Sequence, residues 1–374
     1  MHISELDYTL PSELIAQYPA EPRDSSRLLV CNCADQSHRH KHFRDLPEFL
    51  RPNDLLVAND TSVINARLHG HKPTGGKVEV LLLRKQDDVT WTALVGGRNV
   101  REILFSPPQR GGVGGGGNPP APKGVPGLRG LTANVTENPN DATFTVRFSE
   151  PIEPHLSTLG ETPLPPYIRE RSSDPQRYQT VYARVAGSAA APTAGLHFTP
   201  QLLERVRSMG VRVAFVTLHV GLDTFKPIDE DTVEEHKIHT EWCELPQLTA
   251  DAMNETRQLG GRVIAVGTTS ARVLESTADD GRRTTDAPSS VVRRPSLLVE
   301  PFAGFTRIYI TPGYTWKMVD ALITNFHLPR STLLAMVGSF MGMDCMRQTY
   351  ALAIQKHYRF YSFGDAMFIT GGRT

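Results

Sequence analysis

The chain has 374 residues, of which 39% are hydrophobic and 21% are charged, as in an ordinary globular protein. This composition excludes a largely disordered, collagenous or fibrous chain, and the length allows two domains or one domain with an insertion. The 40 Lys and Arg residues balance the 40 Asp and Glu residues. A nucleic-acid partner would therefore have to be held by a local basic patch rather than by bulk charge.

The sequence carries no signal for export or membrane insertion. No apolar run reaches the ~18 residues that suggest a membrane span, and the acidic N-terminal segment lacks the apolar core of a signal peptide. The four cysteines do not form a secreted disulfide framework. We therefore expect a soluble cytoplasmic protein with reduced thiols.

The N-terminal part of the chain alternates between helical and extended signals. The pattern predicts a short helix at 11–15, with Ser12 as its N-cap. Apolar runs predict buried strands at 28–30 and 55–58, and the second run ends in the turn signal Asn59-Asp60-Thr61.

Between 62 and 151 the pattern becomes that of a small all-β domain. Strands are predicted at 77–83, 91–95, 131–135 and 143–148. Short strands with Gly, Pro and Asn turns favour a small barrel or sandwich.

A glycine-rich tract at 111–130 lies inside this segment. It holds 9 Gly and 4 Pro, which predicts a flexible loop between two strands. The tract formally matches GxGxxG at 112–117, but prolines flank it where a dinucleotide site needs a strand before and a helix after. We therefore expect no cofactor there.

From 152 to the C-terminus the pattern returns to α/β. Strands are predicted at 262–266 and 307–310, and a helix is predicted from Ala271. A second surface loop is predicted at 277–296. An amphipathic helix is predicted at 315–326, because one helical face would carry Met318, Val319, Leu322, Ile323 and Phe326. A further helix is predicted at 332–340, with Ser331 as its cap. The chain is thus expected to be α/β, with a main domain formed by 1–61 and 152–374 and an inserted all-β domain at 62–151.

The turn Gly267-Thr268-Thr269-Ser270 joins a predicted strand to a predicted helix. Such a turn directs backbone N–H groups and hydroxyls at one point near the positive end of a helix dipole, which suits a phosphate or a carboxylate. Helix capping by Thr269 or Ser270 explains the same residues equally well.

Two clusters have the residue types of a metal site but not the spacing. The first has Cys31 and Cys33 followed by His38, His40 and His42, and its histidines alternate with basic residues as on a solvated face. The second, His236–Glu241, lacks the glutamate of H-E-x-x-H. We expect no metal.

Other polar residues indicate a cleft and a nucleic-acid surface. The histidines His197, His219, His239 and His327 lie in turn-like contexts, which suggests that several line one cleft. Arg23, Arg27 and Arg177 lie near hydroxyls and acids, where they suit either phosphates or internal salt bridges. Near the C-terminus basic residues alternate with aromatics, which suits contact with a nucleic-acid backbone and stacking on its bases. Each aromatic taken alone is more often part of a core. The residues are Lys356, His357, Tyr358, Arg359, Phe360, Tyr361 and Phe363.

A series of long motifs stands in order from residue 13 to 369. They include ELIAQYPAEPRDSSRLLV, NDTSVINARLHG, GSAAAPTAGLHFT, TLHVGLDTFKPI, AVGTTSARVLES, ITPGYTWKMVDALITNFHLPRSTLL and YRFYSFGDAMFI. On these motifs the chain closely resembles the S-adenosylmethionine:tRNA ribosyltransferase-isomerase family of queuosine biosynthesis. It departs from the family pattern at Asp223, where glycine is usual, and at Asn65, where proline is common.

The resemblance implies a monomeric cytoplasmic enzyme with a barrel-like α/β main domain and a smaller β domain. It implies that S-adenosylmethionine donates its ribosyl group to 7-aminomethyl-7-deazaguanine at the wobble position of tRNA. Epoxyqueuosine-tRNA forms, adenine and methionine are released, and no metal is required.

The chemistry of this reaction, and not the resemblance itself, suggests roles for individual residues. A base near neutral pKa must remove a proton beside the sulfonium, with His219 and His197 as the first candidates and Asp60 as a weaker one. Tyr167 or a second histidine would assist adenine departure. Contacts to S-adenosylmethionine are expected from Gly267, Thr268, Thr269, Ser270 and His327, and contacts to the tRNA anticodon stem-loop from Arg23, Arg27, Arg177, Lys356 and Arg359.

Two alternatives belong to other classes of protein. A nucleoside or phosphoribosyl transferase acting on a small molecule would explain the strand–turn–helix motif and would work without RNA. A non-catalytic tRNA-binding protein would explain the basic-aromatic segment and would release no adenine.

Overall fold

The computed structural model describes residues 1–105, 130–139, 143–169, 174–221, 227–238, 240–278 and 298–372. The loops expected at 111–130 and 277–296 fall almost wholly outside these residues, as do His239 and Asp223. The chain divides into two compact units. The larger comprises Met1–Ser62, Pro165–Ala186 and Ala190–Thr374, and the smaller comprises Val63–Leu164 and Gly187–Ala189, in place of the predicted 62–151.

The described residues form eighteen β-strands. In chain order they are β1 Arg27–Asn32, β2 Ser37–His42, β3 Leu55–Asn59, β4 Thr61–Val63, β5 Arg67–His71, β6 Lys77–Lys85, β7 Thr90–Gly96, β8 Glu102–Phe105, β9 Thr132–Glu137, β10 Phe144–Phe148, β11 Gly160–Glu161, β12 Val185–Ser188, β13 Arg212–Leu218, β14 Glu241–Leu245, β15 Val263–Val266, β16 Phe302–Thr306, β17 Ala321–Asn325 and β18 Ala366–Thr370.

The same residues form α-helices and short 3-10 helices. The α-helices are α1 Leu156–Leu159, α2 Pro200–Ser208, α3 Gln247–Gln258, α4 Thr268–Ala278, α5 Thr332–Met341 and α6 Met343–Gln355. The 3-10 helices are Ile3–Leu6, Ser12–Leu14, Arg23–Ser25, Phe43–Phe49, Glu153–His155, Pro175–Tyr178, Thr193–His197 and Val233–Glu235.

The larger unit is built on a nine-stranded mixed sheet of order β16-β14-β13-β3-β15-β17-β18-β1-β2. Its four central strands, β13, β3, β15 and β17, run parallel to one another. Their carboxyl ends therefore lie at the same edge of the sheet. We call this edge, marked by Asn59, Leu218, Val266 and Asn325, the carboxyl edge.

Both faces of three of the central strands are buried. Every residue of β3, β15 and β17 is buried, which explains why these strands lack the alternating pattern of a half-exposed strand. Leu55, Val57 and Val263 pack into a core with residues of α3 to α6. Leu56 and Ile264 face the opposite core, which contains residues of α2 and of the 3-10 helix Phe43–Phe49. The unit is therefore a three-layer α/β/α structure.

The smaller unit contains a closed antiparallel barrel of six strands. The order is β5-β6-β7-β10-β9-β8, with β8 pairing back onto β5 and β11 added outside β5. Alternate residues such as Val78, Val80 and Leu82 are buried, while their neighbours are more exposed. The barrel closure expected of the main domain is thus found in this unit, whereas the described nine-stranded sheet has two unpaired ends.

The mixed α/β class with a small β insertion is confirmed, as are the strands predicted around 28–30, 55–58, 77–83, 91–95, 131–135, 143–148 and 262–266. The helix capped by Ser331 is also confirmed, since the Ser331 hydroxyl accepts from Leu334 N at 3.1 Å. The helix expected from Ala271 begins three residues earlier, at Thr268.

Three local predictions are wrong. The region 315–326 is not a helix, because its second half forms β17, whose two-sided burial imitates a helical apolar pattern. The strand predicted at 307–310 lies instead at Phe302–Thr306, where it pairs with β14. The helix predicted at 11–15 is only one 3-10 turn, and Ser12 lies inside it, with Pro11 at the N-cap position.

Candidate active site

The carboxyl edge collects the residues that carry chemistry. Asp60 follows β3, His219 follows β13, Gly267 follows β15 and His327 lies just beyond β17. Ligands of open α/β sheets bind outside the carboxyl ends of their parallel strands. The fold therefore gathers residues from four distant parts of the sequence at the position where such a sheet binds its ligand.

The His219 ring is held by a hydrogen bond at one nitrogen and by stacking on one face. Its Nδ1 lies 2.9 Å from Thr61 Oγ1, and its ring stacks on Trp242 with centroids 5.2 Å apart and planes 20° apart. The side chain is half-buried, and this burial lowers the pKa of the imidazole, although Asp60 acts in the opposite direction. At neutral pH the ring is therefore unprotonated and able to accept a proton.

Asn59 locks the backbone beneath this histidine. Its buried amide donates to Leu218 O at 3.0 Å, while its oxygen accepts from Leu218 N and from Thr61 N, each at 3.1 Å. These bonds tie the end of β3 to the end of β13. They hold Thr61 and His219 in register with each other.

Asp60 is a buried carboxylate that is already paired with Arg184, whose side chain is 71% exposed. Its Oδ2 accepts from Arg184 Nη2 at 2.7 Å, and its Oδ1 accepts from Thr217 Oγ1 at 2.7 Å. The residue is 1% exposed. This arrangement suits a residue that shapes the site more than one that removes a proton.

The turn Gly267–Ser270 is the start of α4. Gly267 has φ +90°, a backbone conformation that favours glycine, and it turns the chain sharply from β15 into the helix. The Ser270 hydroxyl donates to Val266 O at 2.8 Å, whereas the buried Thr269 Oγ1 has no hydrogen-bond partner among the described residues. Neither side chain therefore caps the helix, and the first-turn N–H groups have no acceptor within the helix itself.

A pocket opens in front of this turn. Five apolar and six polar side chains line it; they are Ile238, Ile308, Ile310, Leu333, Met336, Glu241, Thr268, Thr269, Arg272, Tyr309 and Thr332. Its cavity volume is only about 30 Å³, and the rest of the space in front of the turn is open to solvent. We call it the α4 pocket.

A buried ion pair between Arg272 and Glu241 lines the α4 pocket. The side chains are only 8% and 4% exposed, and Glu241 Oε1 also accepts from Gly221 N at 3.1 Å. Gly221 is two residues beyond His219. The pocket and the histidine are thus connected through one carboxylate.

His197 is a buried connector and not an accessible base. Its Nδ1 lies 2.7 Å from Ser26 Oγ, its Nε2 accepts from Asn325 Nδ2 at 3.0 Å, and its ring stacks on Phe43. Burial lowers the pKa of His197 to about 4. Both ring nitrogens are therefore already bonded, and the ring is neutral near pH 7.

His327 and Tyr167 are likewise bonded within the protein. His327 Nε2 lies 2.7 Å from Thr324 Oγ1, and burial lowers its pKa to about 3. The Tyr167 hydroxyl lies 2.7 Å from Ser362 Oγ, and burial raises its pKa. Tyr167 therefore remains a phenol and keeps a proton that it can donate.

The predicted arginines mainly join segments of the chain. Arg23 donates to Gln179 O and Gln176 O, and Arg177 donates to Ala20 O. Arg27 donates to Lys356 O and pairs with Asp365, which Arg359 also contacts. Lys356 is exposed, and no ion-pair partner is found for it within the described ranges.

The Cys and His cluster on β1 and β2 does not assemble a metal site. Among the described residues, no group of three His, Cys, Asp or Glu side chains is placed to hold a metal ion. His38 instead contacts Thr349, and His40 contacts the Tyr358 hydroxyl, each at 2.8 Å. Across all the residues that the structure describes, no helix combines the length and the apolar character needed to cross a membrane.

The structure thus brings His219, Asp60 and the Gly267–Ser270 turn to one edge. Sequence reasoning missed Glu241 and Arg272. The only local signal for Glu241 was its place in the His236–Glu241 cluster, which was considered for zinc alone. Arg272 lies two residues after the Gly267–Ser270 turn. The sequence did not single it out, because its orientation depends on how α4 packs.

Comparisons with known proteins find relatives over nearly the whole chain. A family model described as queuosine biosynthesis protein matches residues 3–369. The chain is 45% identical to the S-adenosylmethionine:tRNA ribosyltransferase-isomerase of Symbiobacterium thermophilum, covering 99% of this chain and 100% of that protein. It is 47% identical to the Thermus thermophilus protein of the same name, covering 97% and 98%. The crystal structure of S-adenosylmethionine tRNA ribosyltransferase from Thermotoga maritima matches with TM-score 0.52 and 34% identity, covering 98% of this chain and 100% of that chain.

Proposed function

The chain belongs to the queuosine biosynthesis protein family, and we propose that it is an S-adenosylmethionine:tRNA ribosyltransferase-isomerase whose reaction takes place at the carboxyl edge of the larger unit. It transfers and isomerises the ribosyl group of S-adenosylmethionine onto 7-aminomethyl-7-deazaguanine at the wobble position of tRNA. Epoxyqueuosine-tRNA is the product, and adenine and methionine are released. Family membership favours neither the small-molecule transferase nor the non-catalytic tRNA-binding protein.

The observation that carries the site assignment is the environment of His219. The sulfonium of S-adenosylmethionine acidifies the protons on its neighbouring carbons, so that a neutral base can remove one from the ribose C5′. His219 is half-buried and its pKa lies below the usual value, whereas His197 is buried with both ring nitrogens bonded and His327 is buried with its pKa lowered to about 3. We assign the base to His219.

Thr61 sets the tautomer in which His219 acts. The Thr61 hydroxyl lies 3.4 Å from Val185 O, to which it donates its one proton. Its oxygen then accepts from His219 Nδ1–H at 2.9 Å. The proton is thereby held on Nδ1, and Nε2 keeps a lone pair for the substrate.

The α4 pocket is proposed to hold S-adenosylmethionine. The first turn of α4, at Thr268 and Thr269, suits the methionine carboxylate because helix N-termini bind anions. Glu241 supplies a negative charge for the sulfonium, and Arg272 holds the Glu241 carboxylate in place. The apolar wall formed by residues such as Ile308 and Met336 suits the uncharged parts of the ligand. His327 supports the same edge from beneath, through its bond to Thr324.

Adenine departure and tRNA binding are assigned to the neighbouring segment 356–365. Tyr167, which is bonded to Ser362, is the proposed proton donor to adenine. Lys356 and Arg359 are proposed to contact phosphates of the anticodon stem-loop, and Arg23, Arg27 and Arg177 to keep their loops in position for it. We propose that the enzyme works as a cytoplasmic monomer without a metal.

A single-turnover assay with S-adenosylmethionine and substrate tRNA tests the function. Free adenine and methionine should appear together, and only when the tRNA carries the modified base. Methylated RNA without adenine would contradict ribosyl transfer. Turnover without RNA would instead indicate a small-molecule transferase.

The same assay tests the base. The His219→Ala variant should lose ~10²–10⁴-fold in rate, the usual range for a general base, while its tRNA affinity stays unchanged. The acid limb of the wild-type rate should lie below pH ~6.5, since burial lowers the pKa of His219. The matched variant His40→Ala changes a histidine on the outer strand β2 and should keep its rate. A near-normal rate for His219→Ala at saturating substrates would remove it from the mechanism.

A further inference from the structure

Two thiols that the reaction does not use face each other at the far side of the larger unit. Cys33 directly follows β1 and Cys345 lies in the first turn of α6, and their Sγ atoms are 3.4 Å apart. The residues are 312 positions apart in sequence, so only the tertiary fold brings them together. All four cysteines are free thiols, and this pair is in direct contact.

The backbone on each side of the pair is well held. Cys33 N donates to Thr370 O at 2.9 Å, which fixes the end of β1 against β18. Cys345 belongs to a helix whose neighbouring residues Met346 and Tyr350 are buried in the core. The two sulfur atoms therefore stay close to each other, although the adjoining turn 34–36 is exposed and can adjust.

The polar surroundings favour a thiolate on Cys345. The Cys33 thiol and then the Thr349 hydroxyl stabilise that thiolate, and the pKa of Cys345 falls to about 7. Thr349 Oγ1 is in turn 2.8 Å from His38 Nε2. Thiolates, not thiols, attack disulfides, so this environment favours exchange.

We propose that Cys33 and Cys345 form a reversible dithiol–disulfide pair that reacts with small-molecule disulfides such as oxidised glutathione. The thiolate of Cys345 attacks one sulfur of the small disulfide, and one glutathione thiolate leaves. Cys33 then attacks the Cys345 sulfur of this mixed disulfide, and the second glutathione thiolate leaves with the proton that Cys33 gives up. The protein loses two electrons and two protons, and one small disulfide becomes two thiols.

Accessibility distinguishes this pair from the other cysteines. Cys33 is half-buried and next to an exposed turn, and Cys345 beside it is 7% exposed, whereas Cys31 and Cys243 are both 0% exposed. The product would link the end of β1 covalently to the N-terminal turn of α6. The pair does not depend on the proposed catalytic function, since that function uses neither thiol.

Incubation of the folded, fully reduced full-length protein with oxidised glutathione tests the proposal. The thiol count after denaturation should fall from four to two, the intact mass should fall by two hydrogens, and non-reduced peptides should contain a Cys33–Cys345 link. Dithiothreitol should restore four thiols. Unchanged thiols, or a stable glutathione adduct on the wild-type protein without the link, would overturn the proposal.

Two variants locate the reaction. Cys33→Ser should stop at a glutathione adduct on Cys345, and the matched variant Cys243→Ser should form the link as wild type does. A link that forms only in urea would overturn the proposal, because it would then reflect the unfolded chain. The wild-type peptide map decides the question even if Cys33→Ser folds poorly.

Discussion

Replacing His197 by glutamine should change the pH dependence of stability far more than the rate of the reaction. The wild-type ring is 4% exposed, with a pKa of about 4 in the folded state. In the unfolded chain the same ring titrates near ~6.5. Below that pH the unfolded state binds a proton that the folded state does not, so stability is complete above pH ~6.5 and is lost as the pH falls towards 4.

The size of this effect follows from the shift. A shift of the pKa from ~6.5 to about 4 corresponds to a loss of about 3 kcal/mol of stability. Against this, the glutamine weakens the bonds to Ser26 and Asn325, which costs about 1–2 kcal/mol at pH 7. The variant should thus be less stable at pH 7 and more stable at pH 4. The two stability curves should cross between about pH 5 and 6.

Urea unfolding followed by circular dichroism between pH 7 and 4 measures this difference. The buried His327, with a pKa of about 3, is present in both proteins and cancels in the comparison. Single-turnover rates of the folded variant at pH 7 should stay within a few-fold of wild type. A stability difference that is constant from pH 7 to 4 would show that His197 is not buried as a neutral ring. A loss of ~10²-fold or more in rate would return it to the candidates for the base.

Two further substitutions test the proposed site. Thr61→Val should keep the fold and lower kcat by ~10–100-fold with KM for S-adenosylmethionine nearly unchanged, because the tautomer of His219 is no longer set. The control Thr249→Val removes a buried hydroxyl bonded to backbone and should leave kcat unaltered. Equal losses of kcat in both variants would contradict the tautomer argument. Glu241→Gln should lower the free energy of unfolding by about 3–5 kcal/mol, since it removes the carboxylate charge that faces the buried Arg272. The exposed Glu255→Gln should cost under about 1 kcal/mol, and equal costs measured by urea unfolding would contradict the burial of the Glu241 ion pair.

Much of the fold could be predicted from local pattern. The alternating strands of the smaller unit, the apolar strands at 28–30 and 55–58, and the helix capped by Ser331 depend mainly on neighbouring residues. The strand before Gly267 and the helix after it were predicted for the same reason. The prediction at 315–326 was wrong because β17 is buried on both faces, and a strand buried on both faces has the same apolar run as a helix.

Part of the site was also visible in the sequence. The motifs around His219 and Gly267 carry the family resemblance, and the residue types indicate a base and an anion-binding turn. The sequence could not separate His219 from His197, because both lie in short turn-like segments. The difference comes from packing, which places Ser26 and Asn325 on the ring nitrogens of His197 and leaves His219 half-buried.

The sequence by itself determined the class of the fold, the inserted β segment, the family and the residue types of the site. Only the tertiary structure decided which of these residues meet. Residues such as Asp60, Glu241 and Arg272 lie on separate segments, and their ion pairs form because the fold brings together the end of β3 with the segment before β12, and the start of β14 with α4. The contact between Cys33 and Cys345 likewise depends on how α6 packs against the end of β1. Local pattern reports the propensity of a segment, whereas burial, charge pairing and pKa depend on neighbours that only the folded chain supplies.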